Sequence, residues 1–168
     1  MKRLWSPWRS KYIESFSEKN RSKKCIFCGV RGELNDAARM IVWRGKKCFI
    51  VMNFFPYNSG HLMVVPYRHC GTLENLKDSE SLELMNGTKI AIALLQDVSH
   101  PHGFNVGANL GRVSGAGIEG HIHLHVVPRW KGDTNFLPVL GDTKLISQDI
   151  RATYKKLRAA VKKLGDHS

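Results

Sequence analysis

Three histidines at alternate positions in residues 118–130, IEGHIHLHVVPRW, constrain the fold of this chain more than any other feature. His121, His123 and His125 are separated by single apolar residues. A spacing of two is the period of a β-strand, because successive side chains of a strand point to opposite faces. The spacing predicts a strand with one apolar face and one row of imidazole rings, about 6.5–7 Å apart. A helix would scatter the three rings around its axis.

Further strands and two long helices are predicted around this histidine strand. Apolar or alternating runs between turn residues predict strands at residues 40–43, 48–54, 61–66 and 104–109. Asp78 and Ser79 can cap a helix that runs to about Val98, and Ser147 can cap a last helix. Strands joined by hairpins, with the long helices set apart from them, predict an α+β fold with an antiparallel sheet and packed helices.

Length and charge limit the organisation of the chain and its partners. A chain of 168 residues is most simply one domain, here a body over residues 25–168 preceded by a polar arm over residues 1–24. The sequence has 26 lysines and arginines against 14 acidic residues, a formal charge of +12. That charge favours anionic partners such as nucleic acid or phosphates, but it does not choose among them.

The sequence also indicates a cellular compartment. Its first residues carry charge but no apolar signal-peptide core, and no stretch reaches the ~18 apolar residues of a membrane span. We therefore expect a cytoplasmic protein with no membrane partner. In such a chain Cys25-x-x-Cys28 indicates a metal or redox site rather than a structural disulfide. Candidates for the two further ligands of a tetrahedral zinc site are His61, His69, Cys70 and His121.

A glycine-rich segment leads directly into the histidine strand. Glycines bring backbone N–H groups close to an anion and form a nest for phosphate oxygens, and Asn109 and Ser114 add side-chain donors. One imidazole of the row could attack a phosphorus atom while a neighbour orients it, because imidazole is both a nucleophile and a proton shuttle near neutral pH. The spacing alone leaves open a zinc hydrolase, in which His-x-His supplies two metal ligands.

The segment GHIHLHVVPRW resembles the His-φ-His-φ-His-φ-φ signature of the histidine triad (HIT) family, where φ is an apolar residue. Further segments are similar to the branch of that family that contains diadenosine polyphosphate phosphorylases and hydrolases: LWSPWRSKYI, CIFC, MNFFPYNSGHLMVVPYRH and GFNVGANLGRVSGAG. The resemblance covers most of residues 4–160. It implies a HIT-like fold for residues 25–168 and nucleotidyl transfer through a covalent nucleotidyl-histidine.

The resemblance also implies roles for individual residues. By position, His123 would be the nucleophile that attacks the α-phosphate of a nucleotide, and His125 would help to position that phosphate. Asn53 falls at a ribose-binding position, although an asparagine in front of a turn can equally be a turn cap. The residues implied to bind phosphate oxygens are Asn109, Ser114, Gly115, Ala116 and Gly117.

A structural zinc ion and a homodimer are implied by the same resemblance. In zinc-bearing relatives the third ligand lies three residues past the proline that ends the third strand, and the fourth is the first triad histidine. Here the implied set is Cys25, Cys28, His69 and His121. Such a closed site has no open position for substrate, so the metal would brace the fold. Two thiols without a metal are the alternative, and Cys70 beside His69 leaves one ligand open. Family members are commonly homodimers, and the helix at residues 79–98 could supply the interface.

The function that agrees best with these features is cleavage of a dinucleoside polyphosphate such as diadenosine tetraphosphate, with inorganic phosphate as the acceptor. Water as the acceptor, or a nucleoside phosphoramidate as the substrate, would make the chain a hydrolase of the same family. A zinc-stabilised nucleic-acid-binding module is the alternative from another class of protein. Nucleic acid is the less favoured partner, because that module leaves the three histidines unexplained.

Overall fold

Five strands of the described chain form a single antiparallel sheet in this computed structural model, which describes residues 25–133 and 149–165. The strands are β1 (Ile41–Arg44), β2 (Cys48–Met52), β3 (Leu62–Pro66), β4 (Gly103–Gly107) and β5 (Leu124–Arg129). The helices are α1 (Asp36–Arg39), α2 (Asp78–Ser99) and α3 (Ile150–Gly165). The polar arm over residues 1–24 and the proposed cap Ser147 lie outside the described residues, so both stay predictions.

The sheet confirms the predicted α+β class. Its strand order is β1-β2-β3-β5-β4, and every neighbouring pair is antiparallel. Strand β5 therefore lies between two other strands, and β4 forms one edge. The four other predicted strands are present, with ends that differ by one or two residues from the sequence boundaries. The region 29–36, which looks like a loop in the sequence, contains a turn of 3-10 helix at Val30–Gly32 and leads into α1.

The histidine strand begins later than its spacing predicts. Ladder pairing between β3 and β5 ends at Val64 and Leu124, so His121 and His123 lie in an irregular segment before β5. Pro66 has no N–H group with which to continue the ladder. The backbone N–H of Ile122 instead donates to the Cys70 carbonyl at 2.6 Å. The three imidazole rings still lie on one side, because Phe27 packs on His121 and His123, and the His123 ring packs on that of His125.

Helices α2 and α3 cover one face of the sheet and form the larger core. Its buried side chains come from both layers: Val42, Ile50, Met52, Leu62, Val64, Val126, Leu84, Leu94, Leu95, Tyr154 and Leu157. Gly87 lies within α2, and a Cβ there would lie 2.8 Å from the Val64 side chain. The glycine therefore allows a close approach of α2 to β3. The long helix predicted at residues 79–98 faces this core.

The second face of the sheet is covered by the segment that begins at Cys25. Phe27 and Val30 of that segment pack on strand residues of this face: Ile41, Phe49, Val51, Met63 and Val65. His125 belongs to this second face, because it pairs with Met63 across the β3–β5 ladder. The histidine side of β5 is consequently a buried layer rather than an open polar surface.

The start of α2 differs slightly from the one the sequence predicts. Asp78 and Ser79 lie in the first turn of α2, and the Glu80 carboxylate accepts the Lys77 N–H at 2.9 Å. At the start of α3 the Asp149 side chain accepts the Ala152 N–H at 2.7 Å. Within the described ranges, no helix has both the length and the apolar character needed to cross a bilayer.

Candidate functional site

Four potential metal ligands from three segments meet beside the second face of the sheet. Cys25 and Cys28 precede β1, His69 follows β3, and His121 precedes β5. Their ligand atoms all lie within 4.8 Å of one another. Cys25 Sγ is 3.3 Å from His121 Nδ1, and Cys28 Sγ is 3.2 Å from His69 Nδ1. Tetrahedral zinc, bound about 2.3 Å from sulfur and about 2.0 Å from nitrogen, holds such atoms about 3.3–3.8 Å apart. The four side chains therefore fit a zinc ion.

The proton position on His121 agrees with metal binding. Its Nε2 lies 2.8 Å from the Pro66 carbonyl oxygen, which can only accept, so Nε2 carries the proton and Nδ1 keeps a lone pair. Histidine ligands of metals usually donate their other ring N–H to an oxygen in this way. Cys70, which the sequence left as a competing ligand, donates to the Thr72 carbonyl at 3.2 Å and does not belong to the cluster.

His123 has the proton arrangement of a nucleophile. Its Nδ1 lies 2.9 Å from the His121 carbonyl oxygen and must donate to it, which leaves the lone pair on Nε2. The ring is only 7% exposed, and Phe27 packs against it with ring centroids 5.4 Å apart. Burial lowers the pKa of His123, although the bond to His121 opposes that shift. The imidazole is therefore neutral at pH 7, with Nε2 available for attack.

His125 is oriented by a chain of hydrogen bonds that starts in the loop after β2. The Tyr57 N–H and the Asn53 amide donate to His61 Nδ1 at 3.0 and 3.3 Å. His61 Nε2 must then carry a proton, which it donates to His125 Nδ1 at 2.9 Å. His125 Nε2 is consequently an N–H donor. It is buried and has no partner among the described residues. His123 and His125 present adjacent rings, with centroids 4.8 Å apart.

The pair His61 and His125 is held neutral by its surroundings. Burial, with a smaller contribution from neighbouring imidazoles, lowers the pKa of His61 to about 3 and that of His125 to about 4. Within the described part of the chain, no carboxylate is bonded to either ring. The site therefore offers one uncharged nucleophilic nitrogen beside one uncharged N–H donor.

These two histidines should make the fold sensitive to mild acid. Both histidines titrate near pH 6.5 in the unfolded chain but near pH 3 to 4 in the folded chain. Between pH 4 and pH 6.5 the unfolded chain therefore binds more protons than the folded one. The free energy of unfolding consequently falls as the pH drops below about 6.5. We expect the melting temperature to fall by at least about 5 °C from pH 7 to pH 5. The melting temperature of His61→Asn should fall less over the same pH interval, because an asparagine does not take up a proton there. An equal loss in both proteins, measured by thermal melts, would assign the acid sensitivity to other groups.

Asn53, implied as a ribose-binding residue, is placed at the edge of this histidine chain. Its Oδ1 accepts the Phe55 N–H at 2.9 Å, and its Nδ2 faces His61. This is the turn-capping role that the sequence left open. A ribose contact from the same side chain stays a prediction.

The glycine-rich segment lies near the histidines, and its side-chain donors are engaged within the protein. Asn109 Nδ2 donates to Tyr57 Oη at 3.1 Å and to the Gly115 carbonyl at 3.4 Å. The Ser114 hydroxyl donates to the carbonyls of Gly111 and Leu110 at 2.7 and 2.8 Å. Gly111 and Gly115 both have positive φ, at 81° and 91°, which glycine adopts without strain. The predicted phosphate-binding role of Gly115, Ala116 and Gly117 thus depends on the backbone of this turn.

Three residues at the site had little or no signal in the sequence. His61 looked like a structural histidine, and it is the hydrogen bond between its Nε2 and His125 Nδ1 that shows its place in the site. Tyr57 packs on both rings, 4.6 Å from His61 and 5.3 Å from His125 between centroids. Phe27 lies in the C-x-x-C segment, and its contacts with His121 and His123 connect the four candidate metal ligands to His123. The linear order of the chain contains no sign of these contacts.

Comparisons with known proteins agree with this geometry. Residues 35–132 match the HIT domain family. The AP-4-A phosphorylase of Mycobacterium tuberculosis is 45% identical over 162 residues, which cover 94% of this chain and 83% of that protein.

Two solved structures share the fold. A Zn-bound histidine triad family protein from Mycobacterium smegmatis superposes with a TM-score of 0.70 at 23% identity, covering 87% of this chain and 99% of the other. A hypothetical histidine triad nucleotide-binding protein from Sulfolobus tokodaii gives a TM-score of 0.64 at 22% identity, with 83% and 93% of the two chains covered.

Proposed function

Because the chain belongs to the HIT domain family, we propose that it is a diadenosine tetraphosphate phosphorylase that works through a nucleotidyl group bound to His123. Family membership and the 45% identical relative make the chain a nucleotide-processing enzyme. The observation that supports the choice of nucleophile is the proton arrangement on His123, whose Nδ1 donates to a backbone carbonyl and leaves Nε2 unprotonated. The name of the relative supports the choice of substrate.

In the first step of the proposed reaction, His123 Nε2 attacks the α-phosphorus of diadenosine tetraphosphate. A nitrogen–phosphorus bond forms, the bond from that phosphorus to the bridging oxygen breaks, and ATP leaves. The attacking imidazole must be neutral, and burial lowers its pKa in that direction. The His121 carbonyl, which accepts the hydrogen bond from Nδ1, stabilises the positive charge that develops on the ring.

His125 Nε2–H is proposed to donate to an oxygen of the transferring phosphoryl group. It is a buried donor without a partner among the described residues, next to the nucleophilic ring. A donor that is already oriented costs no reorganisation when negative charge develops in the transition state. His61 is a positioning residue in this scheme, because it holds His125 in the tautomer that has its proton on Nε2.

In the second step the acceptor attacks the same phosphorus and displaces His123. Inorganic phosphate gives ADP, so the full reaction converts diadenosine tetraphosphate and phosphate into ADP and ATP. Two successive in-line displacements give overall retention at phosphorus. Water as the acceptor would give AMP and ATP by the same residues, and this hydrolase is the second candidate function.

A structural zinc ion is part of the proposal. When bound, zinc would brace the segment that begins at Cys25 against the chain before β5. The four side chains Cys25, Cys28, His69 and His121 would hold it. This assignment leaves His123 and His125 for catalysis, which argues against the zinc-hydrolase alternative. We also propose a cytoplasmic enzyme, since none of its four cysteines forms a disulfide, and a homodimer, as the family resemblance implies.

A product analysis tests the proposed function. The purified chain is incubated with diadenosine tetraphosphate in buffer with and without inorganic phosphate, and the nucleotides are separated by ion-exchange chromatography. We expect ADP and ATP in equal amounts, formed only when phosphate is present. AMP and ATP in phosphate-free buffer would instead support the hydrolase. If neither pair forms, the substrate class is wrong, and nucleoside phosphoramidates are tested next.

A further inference from the structure

Asn58 is a buried polar side chain that takes no part in the two proposed chemical steps. It lies in the loop between β2 and β3 and is only 6% exposed. Its two amide hydrogens both have acceptors, the Pro128 carbonyl at 2.9 Å and Asp133 Oδ2 at 2.7 Å. Its Oδ1 accepts the Ser59 N–H at 3.1 Å. These partners fix the orientation of the amide, and both acceptors of its hydrogens lie at the end of β5 or just after it.

Asp133 holds the other end of this contact as an anion. Its Oδ2 also accepts the Trp130 N–H at 2.8 Å and the Arg129 Nε–H at 3.2 Å. Burial raises the pKa of Asp133, but the three hydrogen bonds outweigh burial and lower that pKa below its ordinary value. The bond from Asn58 is therefore charge-assisted, and such bonds are about twice as strong as those between neutral groups. It ties the loop after β2 to the turn after β5.

The loop that Asn58 anchors sets the tautomers of the histidine pair, His61 and His125. The Asn58 carbonyl accepts the His61 N–H at 3.1 Å, and the preceding Tyr57 N–H donates to His61 Nδ1 at 3.0 Å. The second donor to that nitrogen, the Asn53 amide, is farther away at 3.3 Å. Movement of the loop would weaken the donor from Tyr57 and allow a proton on His61 Nδ1. His125 Nδ1 would then have to donate to His61 Nε2, and His125 Nε2 would lose the proton that it offers to the phosphoryl group.

We propose that Asn58 and Asp133 are positioning residues, whose hydrogen bond keeps the histidine pair in the tautomer that has its proton on Nε2. The bond acts on both members of the pair, because His61 follows the loop and His125 lies on β5, which leads into the turn at Asp133. The same amide also holds Pro128, three residues after His125. The consequence for catalysis rests on the proposed function, whereas the effect on the two rings does not.

Ring tautomers measured by NMR test the proposal without any turnover. The full chain is labelled with ¹⁵N in its histidine rings, and long-range ¹H–¹⁵N correlation spectra at neutral pH show which nitrogen of each ring carries the proton. In the unaltered chain we expect His61 and His125 to be protonated on Nε2 alone. Asn58→Ala and Asp133→Ala should each show both tautomers at His125 and lower kcat by about tenfold, with KM within about threefold. Asp133→Asn keeps an acceptor oxygen in the same place, so it should retain the single tautomer and at least about half of kcat.

A destabilised control separates positioning from a general loss of stability. Leu84→Ala removes a buried side chain from the core under the helices and should lower the melting temperature at least as much as Asn58→Ala, with tautomers and kcat unchanged. Unchanged tautomers in both alanine variants of the pair Asn58 and Asp133 would overturn the proposal, as would mixed tautomers in Leu84→Ala. If Asn58→Ala does not fold, Asp133→Ala decides, because the Asp133 side chain is nearer the surface, 14% exposed. Tautomers that change as expected, in a chain that does not cleave diadenosine tetraphosphate, would refute only the proposed function.

Discussion

Replacing His123 by alanine should abolish nucleotidyl transfer, lowering kcat for diadenosine tetraphosphate by at least about 10⁴-fold. The variant removes the Nε2 lone pair that forms the bond to phosphorus, and the neighbouring His125 cannot replace it. His125 Nδ1 accepts from His61, so its Nε2 carries a proton and has no lone pair to offer. The loss should appear in kcat with a smaller change in KM, because the groups that bind substrate remain.

The control for this variant is His102→Ala, which removes an imidazole from the surface turn before β4. There His102 Nδ1 accepts the Lys131 N–H, and no part of the site depends on it. We expect this variant to keep full activity. Mass spectrometry of the unaltered enzyme, quenched in acid-free buffer without phosphate, should show a covalent adduct of one AMP group on the peptide that contains His123. Activity of His123→Ala within about tenfold of the unaltered chain would mean that another group is the nucleophile.

Loss of the metal site should destabilise the fold strongly. Cys28→Ser should bind less than one equivalent of zinc per chain, and its melting temperature should be lower by about 10 °C or more. The physical reason is that the four ligands come from three segments that are far apart in sequence, before β1, after β3 and before β5. The metal would therefore close long loops and hold Phe27 over His121 and His123.

The matched control is Cys70→Ala, because Cys70 is adjacent to His69 but donates to the Thr72 carbonyl instead of joining the cluster. It should retain one equivalent of zinc by atomic absorption. A strong chelator should lower the melting temperature of the unaltered chain and of Cys70→Ala, with little effect on Cys28→Ser. If the chelator abolished activity at an unchanged melting temperature, the metal would be catalytic and the zinc-hydrolase alternative would be favoured. A chain that never binds zinc, with or without the substitution, would leave the cluster as unmetallated thiols and imidazoles.

Much of the fold follows from local patterns in the sequence. The period-two spacing around His123 predicts alternating faces, and the structure confirms that Val126 faces the helices while His125 faces the opposite side. Apolar runs bounded by turns identify the other strands to within a residue or two, because strand propensity and turn chemistry act over only a few residues. The antiparallel α+β class then follows from the short connections between strands.

The late start of β5 and the burial of the histidine row depend on tertiary contacts. The late start of β5 results from Pro66, which has no N–H group for the ladder, and from the hydrogen bond between Ile122 and Cys70. Phe27, which packs on the rings of His121 and His123, lies 94 positions before His121 in the chain. Such long-range packing has no period and no spacing in the sequence.

By itself the sequence determined the class of the fold and the row of imidazoles, because residue type and spacing fix which groups share a face. The C-x-x-C pair indicated a metal site but left its two further ligands open, and it was the family resemblance that pointed to His69 and His121. The tertiary structure alone decided which nitrogen of each ring carries the proton. The hydrogen-bond partner of Nδ1 fixes this: it is the His121 carbonyl for His123 and His61 for His125. Partners of this kind are set by how distant segments pack, and a linear pattern of residues does not encode them.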